Sequence, residues 1–469
     1  MHRRTFLAGT VLGAAALTAV LPASASAAPV TSLKELQSAI DRAAPGARIV
    51  VANGTYTVPS GGIRVSGKHG TTSAPITITA ESRGGVVLKG ERGFVFDASS
   101  NVTVSGFAFR QSTSLEIPGS CQRIRLTRND FQLADLTKLY WVVVRGDDTK
   151  IDRNHFHHKT TAGIFIVVDG PDEATMAQRL HVFRNHFSDH SFSGLNGGEA
   201  IRLGVSSRAL ASADAVVEYN LFERCDGDPE AVSVKSSDNT IRYNTIRDSR
   251  GGIVLRHGNR STVEGNYLIG GADGVRVYGN DHLVVNNYLS GLSDDALVIG
   301  SGTTRDHHAG ESEDERRGYD ACDRAVIAHN TLLNNRNTLS SDGKPHEPRD
   351  VVVADNLLVG DAGSLVAVPK STGFTWQGNI LWGAASNGTV PTGGFTRVDP
   401  RLRKASDGVH RLAADSPAIG AATLASPAVA EDIDGHPRGD KRDIGADQYA
   451  TAAPVRAPLT PADVGPNAA

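Results

Sequence analysis

The chain has 469 residues, enough for one large domain or two to three ordinary ones, and a formal net charge of −3 at pH 7. Glycine is abundant at 50 residues and aromatics are only 6%, a mixture that favours many short strands and turns over helical bundles. The charge balance gives no reason to expect nucleic acid or an anionic membrane as partner, and beyond the N-terminal segment no apolar run is long enough to span a bilayer.

The first segment, MHRRTFLAGTVLGAAALTAVLPASASAAPV, has a basic head at Arg3-Arg4, an apolar middle and small residues around Ala25 to Ala28. It reads as an export signal over residues 1–28, of the twin-arginine or general secretory kind, so the mature protein is expected outside the cytoplasm. Cys121, Cys225 and Cys322 are widely spaced, cannot all pair with one another and show no metal-ligand spacing, so they read as buried thiols. A short amphipathic helix follows, with Ser32 and Glu35 as a capping box, Leu33, Leu36 and Ile40 on one face, and Pro45-Gly46 as the stop.

Strand-like segments then continue to about residue 450, and they repeat. An asparagine precedes a pair that ends in an apolar residue at Asn129, Asn154, Asn185, Asn220, Asn244, Asn266, Asn287, Asn330, Asn356 and Asn379, with gaps of 24, 22 and 21 residues through the middle. A period in the low twenties with short strands means stacked coils, because no coil can bury its own apolar face alone. An inward-turned asparagine at each corner can bond its counterpart one coil up. The predicted fold is all-β: a right-handed parallel β-helix over 29–450 with an N-terminal capping helix, closed by EDIDGHPRGDKRDIGADQYA and followed by a loose tail over 451–469. Gaps of 35 and 43 residues, before Asn220 and Asn330, mark loops grown from coils.

Strand phasing locates the chemistry. In AVSVKSS, Val232 and Val234 face the core and Lys235 points out; in GGIVLRHG, Ile253 and Leu255 face in and Arg256 out; in DGVRVYG, Val275 and Val277 face in and Arg276 out. The spacings of 21 and 20 residues between Lys235, Arg256 and Arg276, matching those of the core valines and leucine, predict one column of cations on adjacent coils. Like charges facing each other on a sheet destabilise it, so an anion is expected there. Asp226, Asp228 and Glu230 stand on the turn entering the Lys235 strand, and Asn196 and Glu199 reach the lip of an earlier coil. Oxygen ligands on turns suit Ca²⁺. A hard cation beside a basic column describes a groove for a long acidic polymer. HHKTT around Lys159 and DHH at His307-His308 stay uncommitted, and Arg202 is outward with Glu199 as one possible partner.

The run CDGDPEAVSVKS followed by LRHG resembles the sixth family of polysaccharide lyases, the alginate lyases and chondroitinase B. The resemblance covers most of the mature chain. It implies a right-handed β-helix that cleaves uronic-acid polysaccharides by β-elimination. It further implies Lys235 as base, Arg256 as acid, and Asn196, Asp228 and Glu230 as calcium ligands. Asp228 stands where the family has Glu, a shorter ligand by one methylene. Arg276 and His257 are expected to contact substrate. Alginate is the expected polymer. The alternatives are a lyase for dermatan or chondroitin sulfate, and a non-catalytic β-helix that binds glycan. Exo or endo action and oligomeric state are not legible.

Overall fold

The computed structural model describes residues 28–425 and 429–469. All but the last residue of the expected export signal therefore lies outside the described residues. From Arg48 to Arg397 the chain winds into a right-handed parallel β-helix whose coils build three long sheets of thirteen, fourteen and ten strands. Each strand pairs with one a full coil away. Val217 lies beside Ile241, and Ile241 beside Val263. Among the described residues no helix is long and apolar enough to cross a membrane.

The repeated asparagines hold the coils in register. Asn129 donates its side-chain amide to Asn154 Oδ1 at 3.0 Å, and the same 3.0 Å contact links every successive pair up to Asn356 and Asn379. Each Oδ1 also accepts the backbone N–H of the asparagine one coil earlier, as Asn220 Oδ1 does from Asn185 at 3.0 Å. All ten asparagines are buried, so an unpaired amide here would carry the full desolvation cost. The residue before each one is left-handed, for example Arg128 at φ 57°, Tyr219 at 52° and His329 at 54°; glycine takes the place at Gly265 and Gly378. That conformation costs on the order of 1–3 kcal/mol in a non-glycine residue, which the ladder bonds offset. The apolar residue two positions after each asparagine then turns inward. Phe131, Phe156, Phe187 and Phe222 stack with centroids 4.5, 5.1 and 4.8 Å apart.

Helix α1 (Leu33–Asp41) closes the first coil with Leu36 and Ile40 buried. Ser32 accepts from the Glu35 N–H as expected, but Glu35 returns its bond to Thr31 rather than to Ser32. The gap before Asn330 holds a folded excursion with a four-residue helix α2 (Glu313–Arg316). All three cysteines are free and buried. Residues 451–469, expected as a tail, contact the coils at several points: Arg456 lies 4.2 Å over the Tyr243 ring, and Arg128 donates to the Pro466 carbonyl at 3.0 Å.

Candidate active site

The ten-strand sheet carries the predicted residues on its outer face. In the Glu230–Lys235 strand, Val232 and Val234 are fully buried inward and the Lys235 side chain points out, 12% exposed. Val234 pairs with Leu255 as phased. The ladder then slips, so that Lys235 pairs with His257 and Arg256 is left as the extra residue of a bulge. Bulges re-aim side chains, and this one brings both Arg256 and His257 to the lysine.

The single three-cation column needs correction. Leu255 pairs with Val277, not Val275, and Arg276 pairs with Val254. Val254 in turn pairs with Ser233, and Ser233 with Arg202. Arg276 thus belongs to a second column with Arg202, two residues away from Lys235. Inside-outside alternation fixes parity only, and a two-residue slip preserves it.

Beneath the cations lies an acidic corner. Asp228 and Glu230 are 2% and 5% exposed, and Glu199, from the preceding coil, is 1% exposed. Glu199 Oε1 is 3.6 Å from Lys235 Nζ, and Glu230 Oε1 accepts from Arg256 Nη1 at 2.9 Å. Burial, then Glu199 and Glu230, push the Asp228 carboxyl up to about 7. Asp228 accepts the Glu230 N–H at 3.0 Å, and Glu199 Oε2 and Glu230 Oε2 are buried without a hydrogen-bond partner. Three crowded carboxylates with two free oxygens suit a hard divalent cation. Asn196, expected as a ligand, is exposed on the loop ahead of Glu199, and Glu199 adds a third buried carboxylate to the corner. Register could have found it: Ile201 pairs with Val232, so two residues back Glu199 falls in the column of Glu230. Asp226 has a structural task, accepting the Arg250 N–H at 2.8 Å.

Burial lowers the pKa of both cations, and their charge partners decide the net direction. Burial lowers the Lys235 pKa, Glu199 and Glu230 oppose it, and Arg256 adds to it. Arg256 is also desolvated, but Glu230 and the Tyr319 hydroxyl outweigh that and hold its charge firmly. His257, buried beside both, is pushed down to about 3 and is neutral.

Sequence phasing gave no sign of the cover. Tyr319, from the excursion before Asn330, places its hydroxyl 3.1 Å from Arg256 Nη2 and its ring parallel to His257, centroids 6.0 Å apart. Lys344 Nζ sits 4.8 and 4.9 Å over the Tyr278 and Tyr319 rings and pairs with Asp342. Burial, then Arg276, lower Lys344 to about 8. Arg276 is held by Asp273 at 3.4 Å, and Arg202 lies 5.2 Å over the Tyr140 ring rather than on Glu199.

The site is thus a lysine and an arginine set against buried carboxylates on the outer face of a parallel β-helix. The chondroitinase B family profile matches residues 30–358, and the chain belongs to that family, polysaccharide lyase family 6. Its fold is similar to that of the family 6 alginate lyase AlyGC, at 25% identity and a TM-score of 0.71 over 82% of this chain. The chain spans 55% of AlyGC. It is also similar to a mannuronic acid specific family 6 lyase from human gut microbiota, at 25% identity, TM-score 0.68, covering 78% of this chain and 90% of that one. Pedsa3628, a family 6 lyase of Pseudopedobacter saltans, shares the fold at 22% identity and a TM-score of 0.64 over 94% of this chain and 99% of that one. No curated protein matches in sequence.

Proposed function

We propose that the protein is an exported lyase that cleaves a uronic-acid polymer, alginate first among them, by β-elimination. The observation that carries this reading is the desolvated Lys235, 3.6 Å from Glu199 and flanked by an arginine that Glu230 fixes in place. Lys235, as the free amine, takes the C5 proton of a bound uronate. The electron pair forms the C4–C5 double bond as the C4–O4 bond breaks, and O4 takes a proton from Arg256, or from water while Arg256 stabilises its charge. Arg276 and Lys344 hold neighbouring carboxylates, and neutral His257 supports the pocket through Tyr319.

Asp228 and Glu230, with Asn196 from the loop ahead and buried Glu199 beside them, would hold a calcium ion; bound there, it supplies positive charge that makes the C5 proton more acidic. The alginate preference rests on the alginate lyases among the similar structures. A dermatan or chondroitin sulfate lyase and a non-catalytic glycan binder are the competing outcomes.

The test is ultraviolet absorbance of unsaturated ends on poly-mannuronate, poly-guluronate and dermatan sulfate. Product is expected from alginate blocks, lost in Lys235→Ala with substrate binding retained, and lowered by chelator until calcium is restored. Product from dermatan sulfate alone would move the assignment to the sulfated polymers, and no product from any polyuronate would favour the binder.

A further inference from the structure

A second cluster of ligand-bearing side chains lies on a different face, the outer surface of the fourteen-strand sheet. Asp130 begins the two-residue strand Asp130–Phe131, which pairs with His155–Lys159, so that Asp130 is directly opposite His155. His157 follows His155 by two residues and therefore shares its face. One donor atom from each of Asp130, His155 and His157 can be chosen such that all lie within 4.8 Å of one another. His157 Nε2 is 2.9 Å and His155 Nδ1 is 4.0 Å from Asp130 Oδ2.

The remaining polar atom of each of these side chains is held from behind. His155 Nε2 bonds Ser188 Oγ at 3.0 Å, from the next strand, and the His155 ring stacks on His186 with centroids 4.5 Å apart. His157 Nδ1 is 2.6 Å from His158 Nδ1. Asp130 Oδ1 is bound by Arg110. Metal-ligating histidines characteristically donate their second nitrogen to a fixed partner, which sets tautomer and ring orientation. His155 and Asp130 have such support from Ser188 and Arg110, and His157 is backed by the exposed His158 ring. The other such group among the described residues, Asp432, Asp434 and His436, differs: Asp432 gives both oxygens to the His436 and Gln448 N–H groups and Asp434 both to Arg411, whereas Arg110 takes only Oδ1 of Asp130.

We infer that Asp130, His155 and His157 form a binding site for a borderline divalent transition ion such as zinc, separate from the acidic corner of the candidate active site. Two imidazoles and one carboxylate are donors for such ions, whereas an all-oxygen set favours calcium. Bonds of about 2.0–2.1 Å in tetrahedral geometry put ligand atoms roughly 3.3 Å apart. The 2.9 and 4.0 Å separations bracket that spacing. An ion would take the place of the proton now shared by His157 and Asp130. The side chains of His155 and Asp130 are 26% and 25% exposed, which leaves the fourth position open to water.

The test uses the full-length protein without an affinity tag, stripped with chelator and returned to buffer with excess calcium so that the oxygen corner is filled. Calorimetric titration with zinc is expected to show one equivalent that His155→Gln and His157→Gln each abolish. Cobalt as a probe is expected to give the visible absorption of a tetrahedral nitrogen-oxygen site, lost in the same variants. Ser188→Ala keeps every ligand and leaves the strand core untouched; it is expected to weaken zinc about 10- to 100-fold. Wild-type protein that takes up no zinc would overturn the inference. So would zinc uptake of the same stoichiometry and affinity in wild type, Ser188→Ala and both glutamine variants.

Discussion

A free lysine near 10.4 is almost wholly protonated at neutral pH, and burial moves Lys235 toward the free amine. Loss of hydration lowers it, Arg256 adds to that, and Glu199 and Glu230 moderate it. Lys344 is also lowered, to about 8, but its proposed task needs the charge. The two lysines therefore pull the pH profile in opposite directions. As pH rises, kcat is expected to increase while Lys235 loses its proton, and KM is expected to increase above about 8 as Lys344 discharges and anionic substrate binds less well. Lys344→Arg should flatten the KM rise and leave the kcat limb in place; an unchanged KM profile would remove Lys344 from binding. Tyr319 can be tested separately because its ring and hydroxyl do different things. Tyr319→Phe keeps the ring over His257 and deletes the contact to Arg256. A hydrogen bond to a charged group contributes about 1.5–3 kcal/mol, so kcat/KM should fall about 10- to 100-fold. Wild-type kinetics in that variant would mean the hydroxyl does not steer Arg256.

At the scale of the repeated element, the asparagine ladder decides whether coils stay stacked. Asn220 accepts both the backbone N–H and the side-chain amide of Asn185 and donates to Asn244 and to the Val182 carbonyl. Asn220→Ala takes the acceptor from the buried Asn185 N–H, at about 1–3 kcal/mol, while the Asn185 side-chain amide keeps the Ile151 and Phe183 carbonyls. The midpoint of urea unfolding should fall accordingly, and an unchanged midpoint would mean that sheet pairing alone sets the register. This part of the fold was legible because one residue type recurs at one corner with a short, nearly constant spacing. The inward phase of Val232, Val234, Ile253 and Leu255 was legible for the same reason, and all four are fully buried. The register between coils was not: parity survives a two-residue slip, which is how Arg276 came to be assigned to the wrong column. Nor was the bulge at Arg256, since nothing in LRHG distinguishes an extra residue from a regular one. Tyr319 lies 63 residues beyond Arg256 in an excursion without periodicity, so no pattern argument reaches it. Glu199 was in view as a lip residue, and its burial follows only once Ile201 is aligned with Val232.

For the whole molecule, a solenoid has a weakness that globular packing avoids, because each coil touches only its neighbours and distant coils share no contacts. The C-terminal segment supplies such contacts here. Running backwards along the corner that carries the ladder, Arg456 stacks on Tyr243, the Leu459 N–H bonds Thr245 Oγ1 at 2.8 Å, the Gly465 N–H bonds the Arg184 carbonyl at 2.9 Å, and Arg128 and Arg153 bond the carbonyls of Ala468 and Ala469. One strap thus crosses the coils that begin at Asn129, Asn154, Asn185, Asn220 and Asn244, and local opening of any of them has to detach it. Those same coils carry Asp130, His155 and His157 on one face, and the later ones carry Glu199 and Glu230 on another. Deleting residues 451–469 is therefore expected to speed amide hydrogen exchange most between residues 128 and 250, far from the cut in sequence, and least between 330 and 380, where the strap makes none of these bonds. A uniform increase along the solenoid would point to general loss of stability, and no increase at 128–250 would show that the coils hold without the strap. The expected gradient would mean that the order of both candidate sites depends on a segment that contributes no residue to either.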